Sequence, residues 1–289
     1  MPTPRGEEIA LRILDKSNVL LTLDELGIHG EGRERFEGAF RKPYGAVLVT
    51  GPTGSGKSTT VYSALNMLTS VEKKIITIED PVEYQVAGIN QIQVNTRAGL
   101  TFARGLRSML RADPDVMMVG EIRDRETAQI AVEAALTGHM VLSTLHTNDA
   151  PNAITRLTEM GVEPFLTSSA IECIVAQRLT RRLCVHCRQP VTLTATRLRT
   201  LGFVTEDPIE GFEPAGCPRC ANTGFKGRIG VYEVMTVSDR IRELTVARSS
   251  GREIAVAAID EGMTTLRQDA LDKVRDGQTN IDEVLRVCS

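Results

Sequence analysis

The sequence has no tryptophan, and aromatic residues make up only 4% of its 289 positions. Stacking platforms for single-stranded nucleic acid need aromatic faces, so that mode of binding finds little support. Basic charge is not in excess either: 34 Lys and Arg stand against 37 Asp and Glu, a net charge of −3. A chain whose main partner is DNA or RNA would carry a basic balance or a basic face, so no direct nucleic-acid partner is expected. No apolar run is long enough to span a bilayer, and the N-terminus shows no charged, apolar and small-residue leader. The expectation is a cytoplasmic protein without a transmembrane segment, peripheral at a membrane only through partners.

What is present alternates. Ala46 to Thr50, Ile75 to Glu79, Val116 to Gly120 and Val141 to Leu145 read as buried strands. Helical patterns at Ser58 to Leu68, Phe102 to Arg111 and Thr127 to Leu136 fall between them. Such alternation predicts an α/β sheet covered on both faces. Short helix-like segments precede it, at Leu20 to Leu26 and Arg33 to Phe40. Glu8 to Leu14 has the polar–apolar alternation of a strand, and a lone strand needs sheet partners. From Arg181 to about Thr236, Cys, Pro and Gly accumulate and periodicity fades. Ser238 to Ser289 is helical in pattern and highly charged.

One loop carries a specific chemistry. Gly51-Pro52-Thr53-Gly54-Ser55-Gly56-Lys57-Ser58, followed by Thr59, fits G-x-x-x-x-G-K-[ST] between a strand and a helix. Its glycines let successive N–H groups turn inward on phosphate oxygens, and the helix start adds positive potential. Lys57 is expected at the β- and γ-phosphates of ATP, and the Ser58 hydroxyl at Mg²⁺.

Hydrolysis also needs an acid that orients or deprotonates water. Glu79 and Glu121 both end buried strands, where a parallel sheet opens toward its ligand. His139 and His146 flank the strand Met140 to Leu145. A histidine at a central strand end can touch a phosphate or an acid, although a satisfied structural histidine is the commoner case. Arg104, Arg107 and Arg111 share one helix face, either a solvated charged row or a source of positive charge for a neighbouring subunit's nucleotide.

Four of the six cysteines form two knuckles, Cys184-Val185-His186-Cys187 and Cys217-Pro218-Arg219-Cys220. Each places two thiolates on a tight turn, and together they make a closed, structural Cys₄ zinc site. A redox dithiol is the competing reading. Thr194 to Gly202, between the knuckles, reads as a small helix.

Gly51 to Thr60, Ile78 to Tyr84 (IEDPVEY), Asp113 to Asp124 (DPDVMMVGEIRD) and Thr137 to Asp149 (TGHMVLSTLHTND) together resemble the type II secretion and type IV pilus assembly ATPases. In that family these segments are the Walker A, Asp box, Walker B and His box. Leu21 to Gly27 (LTLDELG) and Gly88 to Val94 (GINQIQV) look more like the pilus assembly branch. The resemblance implies a RecA-like P-loop core, a tetracysteine insert and a helical tail. It implies a homohexamer that hydrolyses ATP and works on an inner-membrane platform protein. Carried over by position, Lys57 and Ser58 bind phosphate and metal, Glu79 and Glu121 are the acids, and His139 and His146 are the His-box pair. Arg12 falls where the family has an N-lobe arginine that reaches nucleotide, and Arg107 and Arg111 match arginines near the subunit boundary. The expected division is 1–30 as the end of an N-terminal lobe and linker, 31–180 as the ATPase core, 181–236 as the zinc subdomain and 237–289 as the helical tail. A type II secretion motor is the alternative within the family, and a nucleic-acid translocase the rival outside it.

Overall fold

The computed structural model describes residues 2–4, 6–7, 21–203 and 205–288. Arg12 and the strand pattern at Glu8 to Leu14 lie outside the described residues.

After a short antiparallel pair, β1 (Pro2–Thr3) and β2 (Gly6–Glu7), come the helices α1 (Leu23–Leu26) and α2 (Gly30–Phe40). The core is then laid down as β3 (Gly45–Thr50), α3 (Lys57–Leu68), β4 (Ile75–Glu79), β5 (Ile89–Gln93), α4 (Phe102–Leu110), β6 (Val116–Val119), α5 (Arg125–Leu136) and β7 (Met140–Leu145). Two helices that begin with proline, α6 (Pro151–Glu159) and α7 (Pro164–Ala170), lead into the long strand β8 (Ile171–Leu183). A seven-stranded sheet results, in the order β11-β8-β3-β7-β6-β4-β5, with β11 (Phe225–Thr236) antiparallel to β8 and the other pairings parallel.

The sheet is apolar on both faces. All residues of β3, β4, β6 and β7 are buried, as continuous hydrophobic runs in a covered parallel sheet require. Alternate side chains divide between two cores. Leu48, Ile78, Met117, Val119 and Val141 join the core under α4 to α7. Val47, Val49, Ile75, Met118 and Leu142 pack with Phe36, Phe40, Tyr62 and Leu65 of α2 and α3. Leu23 and Leu26 of α1, in the stretch expected as the end of an N-terminal lobe and linker, pack in that second cluster.

Between β8 and β11 lie β9 (Arg188–Leu193), the short helix α8 (Ala195–Thr200) and β10 (Ile209–Pro214), which pairs antiparallel with β9. The cysteine-rich stretch thus divides. Its centre is a small separate sheet, while 225–236 is an edge strand of the main sheet. The tail is helical as expected: α9 (Asp239–Val246), α10 (Gly251–Asp260), α11 (Leu266–Arg275) and α12 (Ile281–Val287). Ser238, Ser250, Thr265 and Asn280 cap these helices by accepting from the amide three residues on. Leu193, Leu198, Phe203 and Ile209 of the insert share one core with Leu271, Val274 and Val284 of the tail, so the insert buries its apolar side against α11 and α12.

Candidate functional site

The parallel strands end together, and their carboxyl ends open into a cleft of about 420 Å³. Thr53, Gly54, Gly56, Lys57, Ser58 and Thr59 form one side of it, with Glu79, Glu121 and His146 also lining it.

The loop from Gly51 to Gly56 is shaped by close approach. A Cβ on Gly51 would lie 2.4 Å from the Gln177 carbonyl oxygen, and one on Gly56 2.9 Å from Gln177 Nε2. Both glycines have positive φ, 151° and 86°, which side chains disfavour. Gln177 of β8 buttresses the loop. It donates from Nε2 to the Ser55 carbonyl at 2.7 Å and accepts from Thr60 Oγ1 at 2.8 Å. Lys57 curls over the loop and donates to the carbonyls of Gly51 (2.9 Å) and Pro52 (3.0 Å). Burial lowers its pKa; the Glu121 carboxylate opposes that shift and Arg178 reinforces it.

This arrangement fits a polyphosphate. Among the described residues the buried Ser55 hydroxyl has no hydrogen-bond partner. The first amides of α3, which starts at Lys57, have no partners inside the helix. A phosphate chain supplies acceptors for this set of donors, and Ser58 with the facing acids offers oxygen ligands of the kind Mg²⁺ takes.

Glu121 and His146 are brought together by the ends of β6 and β7. Ser143 Oγ donates to the Val119 carbonyl at 2.8 Å, Thr144 Oγ1 to the Gly120 carbonyl at 2.7 Å, and the Ile122 amide to the Thr144 carbonyl at 2.9 Å. Thr147, next to His146, is fastened to β3 by its amide bond to Thr50 Oγ1 at 2.8 Å. Across this frame His146 Nε2 lies 3.3 Å from Glu121 Oε2, and Arg123 pairs with the other carboxylate oxygen. Gly120 explains its own presence. A Cβ there would lie 3.3 Å from both Glu79 Cα and the Ile78 carbonyl oxygen, so a side chain would force β4 and β6 apart at the site.

Glu79 ends β4 and is almost wholly buried. Tyr62 and Thr77 donate hydroxyl hydrogen bonds to it, and Gln91 Nε2 donates at 3.2 Å.

The structure does not bring the remaining sequence candidates here. His139 precedes β7 at the opposite, amino-terminal end of the parallel strands, where its Nδ1 lies 3.0 Å from the Ala134 carbonyl oxygen and its own carbonyl accepts from the Gly45 amide. The two histidines are a strand length apart, roughly 20 Å. Arg107 pairs with Glu126 at 2.7 Å. With Arg104 and Arg111 it borders a separate, open depression on α4, so none of the three faces this chain's own cleft. Conversely, Arg123, Arg228, Leu179 and Gln177 shape the cleft without having been singled out in the sequence. Arg123 stands two residues after Glu121 in the segment Asp113 to Asp124, a local signal for it, whereas Gln177, Leu179 and Arg228 lie within β8 and β11 and reach the cleft only through that long-range pairing.

β8 extends past the end of β3. Ala176 pairs with Thr50, and 177–183 continue outward, about 20 Å of strand. Paired with β11, this ribbon walls the cleft with Leu179 and Arg228 and carries both cysteine knuckles at its tip. The four sulfurs lie within 4.8 Å of one another, with Sγ–Sγ separations of 3.9, 3.8 and 3.7 Å for Cys184–Cys217, Cys187–Cys220 and Cys217–Cys220. Zn–S bonds of about 2.3 Å in a tetrahedron place sulfurs about 3.8 Å apart, so the donor set fits zinc. Backbone amides of Cys217 and Gly224 also donate to Cys220 Sγ, each at 3.2 Å, as thiolate ligands require.

Fold and cleft together define a P-loop nucleotide-binding α/β protein. The crystal structure of the pilus retraction motor PilT with bound ADP superposes with a TM-score of 0.71 at 27% identity, covering 96% of this chain and 68% of that one. The family model described as Type II/IV secretion system protein matches residues 1–286, and the chain belongs to that family. It is 50% identical over 288 residues to the type II secretion system protein E of Aeromonas hydrophila. It is 52% identical over 288 residues to the type IV pilus assembly ATPase PilB of Thermus thermophilus. Each match covers 99% of this chain, but only 57% of the first relative and 32% of the second. The chain therefore spans about half or less of the curated relatives it matches.

Proposed function

We propose that this chain is the catalytic core of an ATP-hydrolysing motor that powers assembly of type IV pili at the cytoplasmic face of the inner membrane. The observation that carries the reading is one cleft, at the carboxyl ends of parallel strands, in which Lys57, Ser58, Glu121 and His146 converge. In this reading the loop amides and Lys57 hold the phosphate oxygens, and Ser58 holds Mg²⁺, which when bound offsets phosphate charge. Glu121 accepts the proton of the attacking water. His146 and Arg123, both on that carboxylate, fix its direction. The working form is a homohexamer acting on an inner-membrane platform protein, in which Arg107 and Arg111 serve a neighbouring subunit's site. Their exposure on α4 supports that role.

Leu21 to Gly27 and Gly88 to Val94 favour pilus assembly. A second reading, the motor of a type II secretion system, is supported by about equal identity to relatives of that name. Among the described residues no helix is long and apolar enough to cross a membrane, which suits attachment through a partner. Phosphate release in Mg-ATP tests the activity: no release above a Lys57→Ala control rejects it. Release stimulated by DNA would favour the translocase reading instead. Complementation of strains lacking either motor by the full-length protein separates pilus assembly from secretion.

A further inference from the structure

Tyr62 sits inside α3, one turn beyond Lys57, and is fully buried. Its ring packs in the core, tilted 36° against Tyr84 with centroids 4.5 Å apart. Its hydroxyl, however, reaches the far end of β4 and donates to Glu79 Oε2. The other carboxylate oxygen, Oε1, receives Thr77 Oγ1 from the same strand and Gln91 Nε2 from the neighbouring β5. Gln91 is in turn fixed, donating to the Tyr84 carbonyl at 3.1 Å and accepting from the Val86 amide at 2.8 Å. A buried carboxylate left without donors is strongly disfavoured. Here three donors from α3, β4 and β5 satisfy both oxygens and leave the group no rotational freedom.

This differs from the setting of Glu121. Among the described residues the Glu121 carboxylate pairs with exposed groups, Arg123 and His146, and it can change partners. Glu79 cannot do so without breaking buried bonds. We propose that Tyr62 is a positioning residue that locks Glu79 and ties the phosphate-loop helix to the acid at the end of β4. The inference rests on the reading of this cleft as the hydrolytic site. The link has a mechanical consequence. Lys57 and Tyr62 share one helix, so any displacement of the phosphate loop is transmitted to Glu79 through a single hydroxyl. The loop and the acid thereby keep their register in each nucleotide state.

The test is steady-state hydrolysis by Tyr62→Phe, which keeps the ring against Tyr84 and removes only the donor. The expected result is a fall in kcat of about 10-fold or more, in the range of a misplaced catalytic group, with KM for ATP within about 2-fold of the parent. A general structural defect would instead reduce the active fraction, seen as a proportionate loss of nucleotide-binding sites in a titration. Thr77→Val removes the donor on the opposite oxygen without changing side-chain shape, and should give the same split between kcat and KM. It also serves if Tyr62→Phe folds poorly. Glu79→Gln is the control on the underlying reading. If Glu79→Gln is inactive while Tyr62→Phe and Thr77→Val both turn over normally, the positioning role is overturned and the site stands. If Glu79→Gln itself turns over normally, Glu79 lies outside the chemistry and the inference falls with that assignment.

Discussion

The middle and the tip of the β8–β11 ribbon are held by different physics. Near its middle, beside the phosphate loop, the chain is fixed by hydrogen bonds and glycine turns: Gln177 to Ser55 and Thr60, Thr50 to Thr147, Ser143 and Thr144 to the end of β6. Below it are two apolar cores that span the sheet. At its tip, backbone pairing gives way to two knuckles whose sulfurs cluster at metal-ligand spacing. The first region is over-determined by many bonds of about 1 kcal/mol each. The second depends on one centre and on packing against the tail helices. A region of many small constraints tolerates the loss of one structural bond yet cannot lose a charge that meets substrate; a region closed by one metal is the reverse.

The largest expected effect lies in the cleft. Lys57→Ala should reduce phosphate release to background, because no other ammonium can replace it over the loop carbonyls. Turnover near the parent rate would remove the phosphate loop from the chemistry. Next is Glu121→Gln, which should slow hydrolysis by roughly 10²-fold or more, the scale of a lost general base, while nucleotide affinity is kept. Affinity lost at normal turnover would make Glu121 a binding residue.

At the ribbon's tip the same loop charge is irrelevant. Cys217→Ser, or a strong chelator, should release one zinc per chain and raise amide exchange across 184–224, with nucleotide affinity changed less than about 3-fold. Because Leu198 and Phe203 pack with Leu271 and Val274, exchange should also rise in α11. If nucleotide binding is lost together with the zinc, the two regions form one cooperative unit and the contrast between them fails. A metal-free protein with a disulfide between knuckles would leave the redox reading in place.

The sequence exposed one side of this contrast better than the other. β3, β4, β6 and β7 are continuous apolar runs, and the phosphate loop is a local motif, so residues 45–145 were legible almost element by element. β5 escaped because Ile89 to Gln93 is polar and half-exposed at the sheet edge. β8 and β11 escaped because their outer halves carry Arg178, Arg181, Arg182, Lys226 and Arg228 beside cysteines, which reads as loop. Their pairing is long-range, and no window of sequence contains both partners. Gln177 and Tyr62 were hidden for the same reason. Each takes its meaning from a residue 122 or 17 positions away. The zinc knuckles were plain from spacing, but their place at the end of the wall of the cleft was not.

The smallest expected effect separates the two histidines that sequence grouped together. His146 stands beside Glu121, whereas His139 belongs to the turn between α5 and β7 at the other end of the strand. There its ring nitrogen and its amide both meet the Ala134 carbonyl, closing the last turn of α5. Removing the ring costs one partly buried hydrogen bond, about 1 kcal/mol. His139→Ala should therefore lower the thermal midpoint slightly and leave kcat within about 2-fold of the parent. His146→Ala should lower kcat by at least 10-fold, since the Glu121 carboxylate loses the group that orients it. The pair is measured side by side at equal active-site concentration. Should His139→Ala lower kcat as far as His146→Ala while binding nucleotide normally, the far end of the strands would have to reach a nucleotide. Only a neighbouring subunit's cleft could supply one, and the role now given to Arg107 and Arg111 would extend to His139.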